Sequence, residues 1–197
     1  MLFIIMISDI DNDIAASIVR SFADDTRNST KIRTEEDNKS MQRDLDLIYK
    51  WAKNNMMEFN ETKFEHMTWG ITKGIDIASY KTPSGDDIPC KSKVKDLGVI
   101  TSEDLLFRDH MNSVATACKI KQGIILRKFI TRKEEPMMQL FKTYIRSKLD
   151  YCCLVWSPWC QKDIDKIERI QKNFTSKIEG MDNLDYHERL KNSNCTV

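Results

Sequence analysis

No apolar stretch in these 197 residues approaches the roughly 20 consecutive residues that a bilayer-spanning helix needs. The apolar start, Met1 to Ile7, is short, has no leading basic residues and runs straight into Asp9, Asp11 and Asp13. It reads neither as a secretory signal nor as an anchor, and more like a core element entered partway. None of the six cysteines, at positions 90, 118, 152, 153, 160 and 195, forms a Cys-x-x-Cys pair. No histidine stands at a zinc-finger spacing from them, so a structural zinc site is not expected and the thiols should be reduced and mostly buried. The three histidines, His66, His110 and His187, share no spacing with one another or with a Ser or Cys nucleophile, and no chemistry is assigned to them. There is no internal repeat and no low-complexity tract. Neither sign of charge dominates: 31 Lys and Arg face 30 Asp and Glu, for a net charge of +1. With 31% charged residues and a mean hydropathy of -0.50, the expectation is an intracellular protein of nucleus or cytoplasm, with no membrane partner.

The charge balance is uneven along the chain. Residues 1–110 hold 15 Lys and Arg against 20 Asp and Glu, whereas residues 111–180 hold 14 against 7. An acidic half followed by a basic half suits a protein that holds cations with one part and phosphates with the other; solvated helix faces would give the same numbers.

The apolar-rich run Ile18-Val19-Arg20-Ser21-Phe22-Ala23 leads into Asp24-Asp25 and then into the polar Thr26-Arg27-Asn28-Ser29-Thr30. That order predicts a strand, a tight turn presenting two acids, and a returning strand near Lys31-Ile32. Next, Met41, Leu45, Ile48, Ala52, Met56 and Phe59 recur at helical spacing, predicting a helix from about Ser40 with Asp37 and Asn38 as caps. A strand is expected around residues 64–69. A second hairpin is expected with arms near Ile75–Lys81 and Val94–Ile100, joined through the turn-rich residues 82–87.

From about Glu103 the period becomes helical. Phe107, Met111, Val114, Cys118 and Ile125 line one face; Pro136 opens a second helix with Leu140, Phe141, Tyr144, Ile145 and Leu149 inward. Ile164, Ile167, Ile170, Phe174 and Ile178 define a third, ended by Gly180, and polar residues follow that should fray. The whole is an α+β chain ending in a three-helix bundle with basic outer faces.

Two adjacent carboxylates on a hairpin are what two-metal nucleotidyl transfer calls for, because hard cations about 3.5 to 4 Å apart must be held by oxygens. They are equally ordinary turn chemistry, since Asp bonds nearby backbone amides. Several further segments stand in a fixed order beside them. They are the Trp51-bearing helix followed by Asn60 and Lys63, Lys95-Asp96-Leu97-Gly98-Val99, Tyr144 through Cys152, Val155-Trp156-Ser157-Pro158, and Asp163 through Lys172. In that order and spacing, residues 1 to 180 resemble the C-terminal part of the reverse transcriptase of non-long-terminal-repeat, jockey-like retrotransposons. Phe22-Ala23-Asp24-Asp25 matches the catalytic hairpin of that family.

The resemblance implies a partial polymerase palm over residues 1–101, with the catalytic hairpin and a primer-grip-like hairpin. A basic, thumb-like helical region would follow over 102–180, and a polar tail over 181–197. It implies Mg2+ (or Mn2+), an RNA template with a DNA primer, and nucleotide triphosphates. Asp24 would be the principal metal ligand, and Asp25 would ligate one metal or tune the site. Lys63 would lie near the triphosphate and protonate the leaving group, or else be a solvated Lys at a strand start. Leu97 and Gly98 would hold the primer end, and Lys119, Lys121, Arg127, Lys128, Arg132 and Lys133 would track the duplex phosphates. The third metal-binding Asp and the Pro-Gln-Gly segment of that family have no counterpart in this sequence. The expectation is therefore a fragment that is inactive alone, the alternative being a non-catalytic nucleic-acid-binding or structural remnant. Trp51, Trp69, Trp156 and Trp159 are candidates for base stacking, with the first and third expected in the core.

Overall fold

The computed structural model describes residues 5–70 and 79–192. The fold is α+β, with two small antiparallel hairpins and several helices, in two compact units that divide between Ser92 and Lys93. Among the described residues no helix is long and apolar enough to cross a membrane.

In the first unit, β1 (Ile18–Phe22) pairs with β2 (Asp25–Ser29), with Phe22 opposite Asp25. The connection is only Ala23-Asp24, so the returning strand begins well before the Lys31-Ile32 expected from sequence. A two-residue loop of this kind needs positive φ, and Ala23 supplies it at 53°. Helix α1 (Glu35–Asn54) starts about five residues earlier than its apolar periodicity suggested. The reason is a capping box. Thr34 accepts from the Asp37 amide, and the Asp37 carboxylate accepts from the amides of Thr34 and Arg33. Those bonds hold the Asp37 carboxyl below the usual carboxylate range. At the other end Met56 takes φ 54° and turns outward, 95% exposed, instead of continuing the apolar face.

Val19, Ile10 and Ile48 form the small core of this unit, with Ile14, Trp51 and Phe59 packed against it. The helix face toward β1 is not wholly apolar. Asp44 is buried and its Oδ2 accepts from the Ala16 amide (3.1 Å) and the Ser17 hydroxyl (2.6 Å). These two bonds tie the entry of β1 to the middle of α1.

The expected strand at residues 64–69 is reduced to a single parallel bridge, His66 with Cys90, after a 3-10 turn at Glu61–Lys63. The expected long hairpin also resolves differently. Residues 82–87 close a local turn, with a bridge between Lys81 and Asp87 and Gly85 at φ 91°. Residues 75–78 of its first arm lie outside the described residues. Its second arm pairs locally: β3 (Lys93–Asp96) returns as β4 (Val99–Ser102) through Leu97-Gly98. Both turn residues have positive φ, 45° and 85°, as a two-residue primed turn requires.

In the second unit, β3 and β4 stand beside α2 (Arg108–Lys128). Helix α3 (Glu134–Phe141) passes through a π-helical turn, Lys142–Arg146, into α4 (Ser147–Asp150). Then come α5 (Cys153–Trp156) and α6 (Gln161–Thr175). The core is one cluster that includes Met111, Val114, Cys118, Met137, Phe141, Ile145, Trp156, Ile170 and Phe174. The rings of Phe141 and Phe174 stand 5.1 Å apart at its centre. Tyr144, expected inward, is half exposed. Beyond Gly180 the chain does not fray at once. Met181 and Tyr186 are buried, and α7 (Tyr186–Asn192) follows. The thiols depart from expectation as well: Cys118 is buried, but Cys90, Cys152 and Cys160 are exposed.

Candidate functional site

The acids of the first unit lie at the tip of its hairpin. Asp24 is the second residue of the loop and Asp25 the first of β2, and both are exposed, as is Phe22 at 68%. Only Val19 of β1 is buried, so the hairpin is held through its base and leaves its tip in solvent. Neither carboxylate has a hydrogen-bond or ion-pair partner among the described residues. Among the described residues no group of three or more His, Cys, Asp or Glu side chains is placed to hold a metal ion. Among the described residues, Asp24 and Asp25 therefore do not by themselves make a two-metal centre.

Lys63 ends the 3-10 turn, exposed, and among the described residues no hydrogen bond or ion pair links it to Asp24 or Asp25. It is not at a strand start. Farther along β2, the Arg27 guanidinium lies over the Trp69 ring, 4.7 Å from its centroid. Trp69 is thus engaged by a cation.

In the second unit, Leu97 and Gly98 are not strand residues but the turn itself. The Leu97 carbonyl accepts from the Tyr151 hydroxyl at 2.7 Å. Gly98 rests on the same ring: a Cβ there would stand 3.4 Å from Tyr151 Cε1. The Tyr151 carbonyl accepts from Trp156 Nε1 at 2.8 Å, and the Trp156 ring meets His110 edge-on with centroids 5.3 Å apart. His110, buried, accepts the Ile100 amide of β4 on Nδ1 at 3.2 Å. Burial is the main influence lowering the His110 pKa, and the Lys148 and Lys95 charges add to it.

The basic residues are spread round one side of α2. At 3.6 residues per turn, Lys119 stands on one border of its outer face and Lys121 and Lys128 on the other, with Arg127 close to the line of Ile120. Ile120 and Ile124, both exposed, lie between the two borders. Arg127 Nε donates to the Gly123 carbonyl, and Arg132 donates to the Leu126 carbonyl and is tied through its backbone to Glu179. Those two arginines are partly engaged in closing the end of the helix. Among the described residues, the ammonium groups of Lys119, Lys121, Lys128 and Lys133 have no hydrogen-bond or ion-pair partner.

Of the tryptophans, Trp156 is in the core and Trp51 is half-buried with Nε1 donating to Asp9. Trp159 is 97% exposed, as is Leu154. Sequence reasoning passed over His110 because an isolated histidine carries no spacing signal. The juxtaposition of Tyr151 with a Leu-Gly turn 54 residues earlier is likewise written only in three dimensions. Compared with models of known families, with curated proteins and with solved structures, the chain has no match.

Proposed function

We propose that the chain is a portion of an RNA-directed DNA polymerase of the jockey-like retrotransposon kind. In this reading residues up to about 101 belong to the palm, and the helices that follow to a thumb-like region. Asp24 and Asp25 contribute part of its acidic, Mg2+-holding or Mn2+-holding set, while the second unit engages a template–primer duplex. What supports the reading above all is the exposed hairpin tip. A two-residue loop carries Asp24 and leads directly into Asp25, with no protein partner among the described residues taking up either carboxylate. Lys63 and the Leu97-Gly98 turn have the roles of triphosphate neighbour and primer contact in this reading. Because the two acids do not make a metal centre alone, the isolated chain does not polymerise.

A second reading, duplex binding without catalysis, is favoured by the outer face of α2, where unpaired Lys119, Lys121 and Lys128 surround Ile120 and Ile124. Primer extension with magnesium on an RNA–DNA template–primer tests both. The expected result is binding without incorporation, with affinity falling steeply as salt rises. Incorporation abolished by Asp24→Ala would refute the stated inactivity. No duplex binding at low salt would refute both readings.

A further inference from the structure

The contacts around the β3–β4 turn form a closed circuit within the second unit. The turn carbonyl of Leu97 is held by the Tyr151 hydroxyl, and the Tyr151 carbonyl is held by Trp156 Nε1. The Trp156 ring abuts His110, and His110 Nδ1 takes the outward-facing amide of Ile100, one residue after Val99 closes the turn. Each member has a definite physical task. Tyr151 lays its ring against Gly98, whose φ of 85° is what favours glycine in the turn, and its hydroxyl satisfies a carbonyl at the tip. Tyr151 and Trp156 bracket Cys152, whose φ of 52° breaks the helical run between α4 and α5 and frees the Tyr151 carbonyl to accept from the indole. His110 must be neutral with Nδ1 unprotonated, because an amide N–H can only donate to a lone pair. Its Nε2 is buried with no partner among the described residues.

We infer that Tyr151, Trp156 and His110 are positioning residues that lock the Leu97-Gly98 turn in one presented conformation, and that protonation of His110 opens the lock. An imidazolium has N–H on both nitrogens, so it would turn a donor toward the Ile100 amide and lose the bond that holds β4. The charges acting on the ring are both cationic, Lys95 from β3 and Lys148 from α4. Asp109, its neighbour in sequence, is paired with Lys93 at 2.8 Å. Neither cation favours the charged form. The consequence for nucleic acid rests on the function proposed above: a fixed turn contacts a duplex end better than a loose one.

The test uses the full chain and two variants. Tyr151→Phe keeps the ring under Gly98 and removes only the hydroxyl. His110→Asn places an oxygen near the position of Nδ1 and cannot titrate. Amide hydrogen exchange, corrected for intrinsic rates, is compared between β3–β4 and α6 at pH 7.5 and 5.5. At pH 7.5 the Tyr151→Phe hairpin amides should exchange about three- to tenfold faster, the worth of one hydrogen bond, with α6 unchanged. In the unsubstituted chain hairpin protection should fall relative to α6 at pH 5.5, and in His110→Asn it should not. Unchanged hairpin protection in Tyr151→Phe overturns the lock. A pH response that survives His110→Asn overturns the role of His110, and if that variant does not fold, the Tyr151 arm decides. Binding of an RNA–DNA template–primer is read in parallel, with a loss of about three- to tenfold expected in Tyr151→Phe. Faster exchange with unchanged affinity upholds the lock and refutes the turn as a nucleic-acid contact. Absence of binding in the unsubstituted chain refutes the proposed function and leaves the exchange result to judge the lock.

Discussion

Replacing Asp44 by Ala should detach the acid-bearing hairpin from its helix while leaving the helix itself standing. Asp44 lies on α1 between the cap at Thr34 and the apolar contact at Ile48, and it is 4% exposed. Its Oδ2 accepts two hydrogen bonds, one from the Ala16 amide and one from the Ser17 hydroxyl, immediately before β1. A hydrogen bond to a charged group is worth about 1.5 to 3 kcal/mol, and removing the acceptor leaves both donors unsatisfied in a part-buried setting. Taking the lower value for each because the site is not fully enclosed, the loss is about 3 kcal/mol. Beyond these bonds the hairpin is held by Val19, its one buried residue in β1, and by Arg27 over the Trp69 ring, and two-stranded ribbons are marginal alone. Hydrogen exchange resolved by peptide reads this directly. Residues 16–29 should exchange about a hundredfold faster in Asp44→Ala, with the second unit unaffected. Asp44→Asn, which retains an oxygen acceptor, should lose about tenfold or less. A change below about threefold in Asp44→Ala would show that β1 is anchored some other way and that these bonds carry little of its stability.

Other consequences can be measured separately. Phe174→Ala empties the centre of the second core, where Phe174 is wholly buried 5.1 Å from the Phe141 ring, and should cost about 3 to 5 kcal/mol in urea unfolding. A loss under about 1 kcal/mol would mean the cluster collapses around the gap. His66 and His110 both have pKa values lowered chiefly by burial, for His66 against the opposing bond from Nδ1–H to the Ile88 carbonyl. The unfolded chain then takes up protons first, so stability is fully present above the unfolded value of about 6.5. It is lost as pH falls below that value and on through the lowered folded values. The carboxyls whose pKa values are lowered, such as Asp37 and Asp104, titrate below this window. Stability that stays flat or rises from pH 7.5 to 5.5 would contradict the sign. Lys121→Ala with Lys128→Ala, on one border of α2, should make the salt dependence of duplex binding shallower by about 2 in the log–log slope, and an unchanged slope would remove that border from the contact.

How far the sequence spoke depended on the range of the interactions involved. The helices of the second unit were legible because Met111, Val114, Cys118 and Ile125 repeat at the helical period, and burial follows that period. The first hairpin was legible as a strand, turn and strand, though its loop proved shorter because Ala23 accepts a left-handed backbone. The second hairpin was misread through the weight of the turn residues at 82–87. Those residues do turn, but onto themselves, with the Thr82 amide donating to the Asp86 carbonyl at 2.8 Å. Val94 and its neighbours then pair with the nearest available strand across Leu97-Gly98.

The residues that sequence reading missed share one property: each is a polar group on a helix whose partner lies outside that helix, 27 and 28 residues away for Asp44 and 10 for His110. Asp44 interrupts an apolar helix face, and in a periodicity count it is an error; in space it is the acceptor for two donors about 27 residues earlier. His110 also falls on the buried side of its helix and had no assigned role, yet it completes the hydrogen bonding of β4. Buried polar groups of this kind require partners, because leaving one unpaired costs about as much as a core methyl or two. A polar residue at an apolar position of a strongly periodic helix therefore signals that something donates to it. The signal does not name the donor. Here the donors turn out to be the entry of the first hairpin and the outward edge of the second. Both hairpins are held to a helix by a side-chain acceptor and not by added strands.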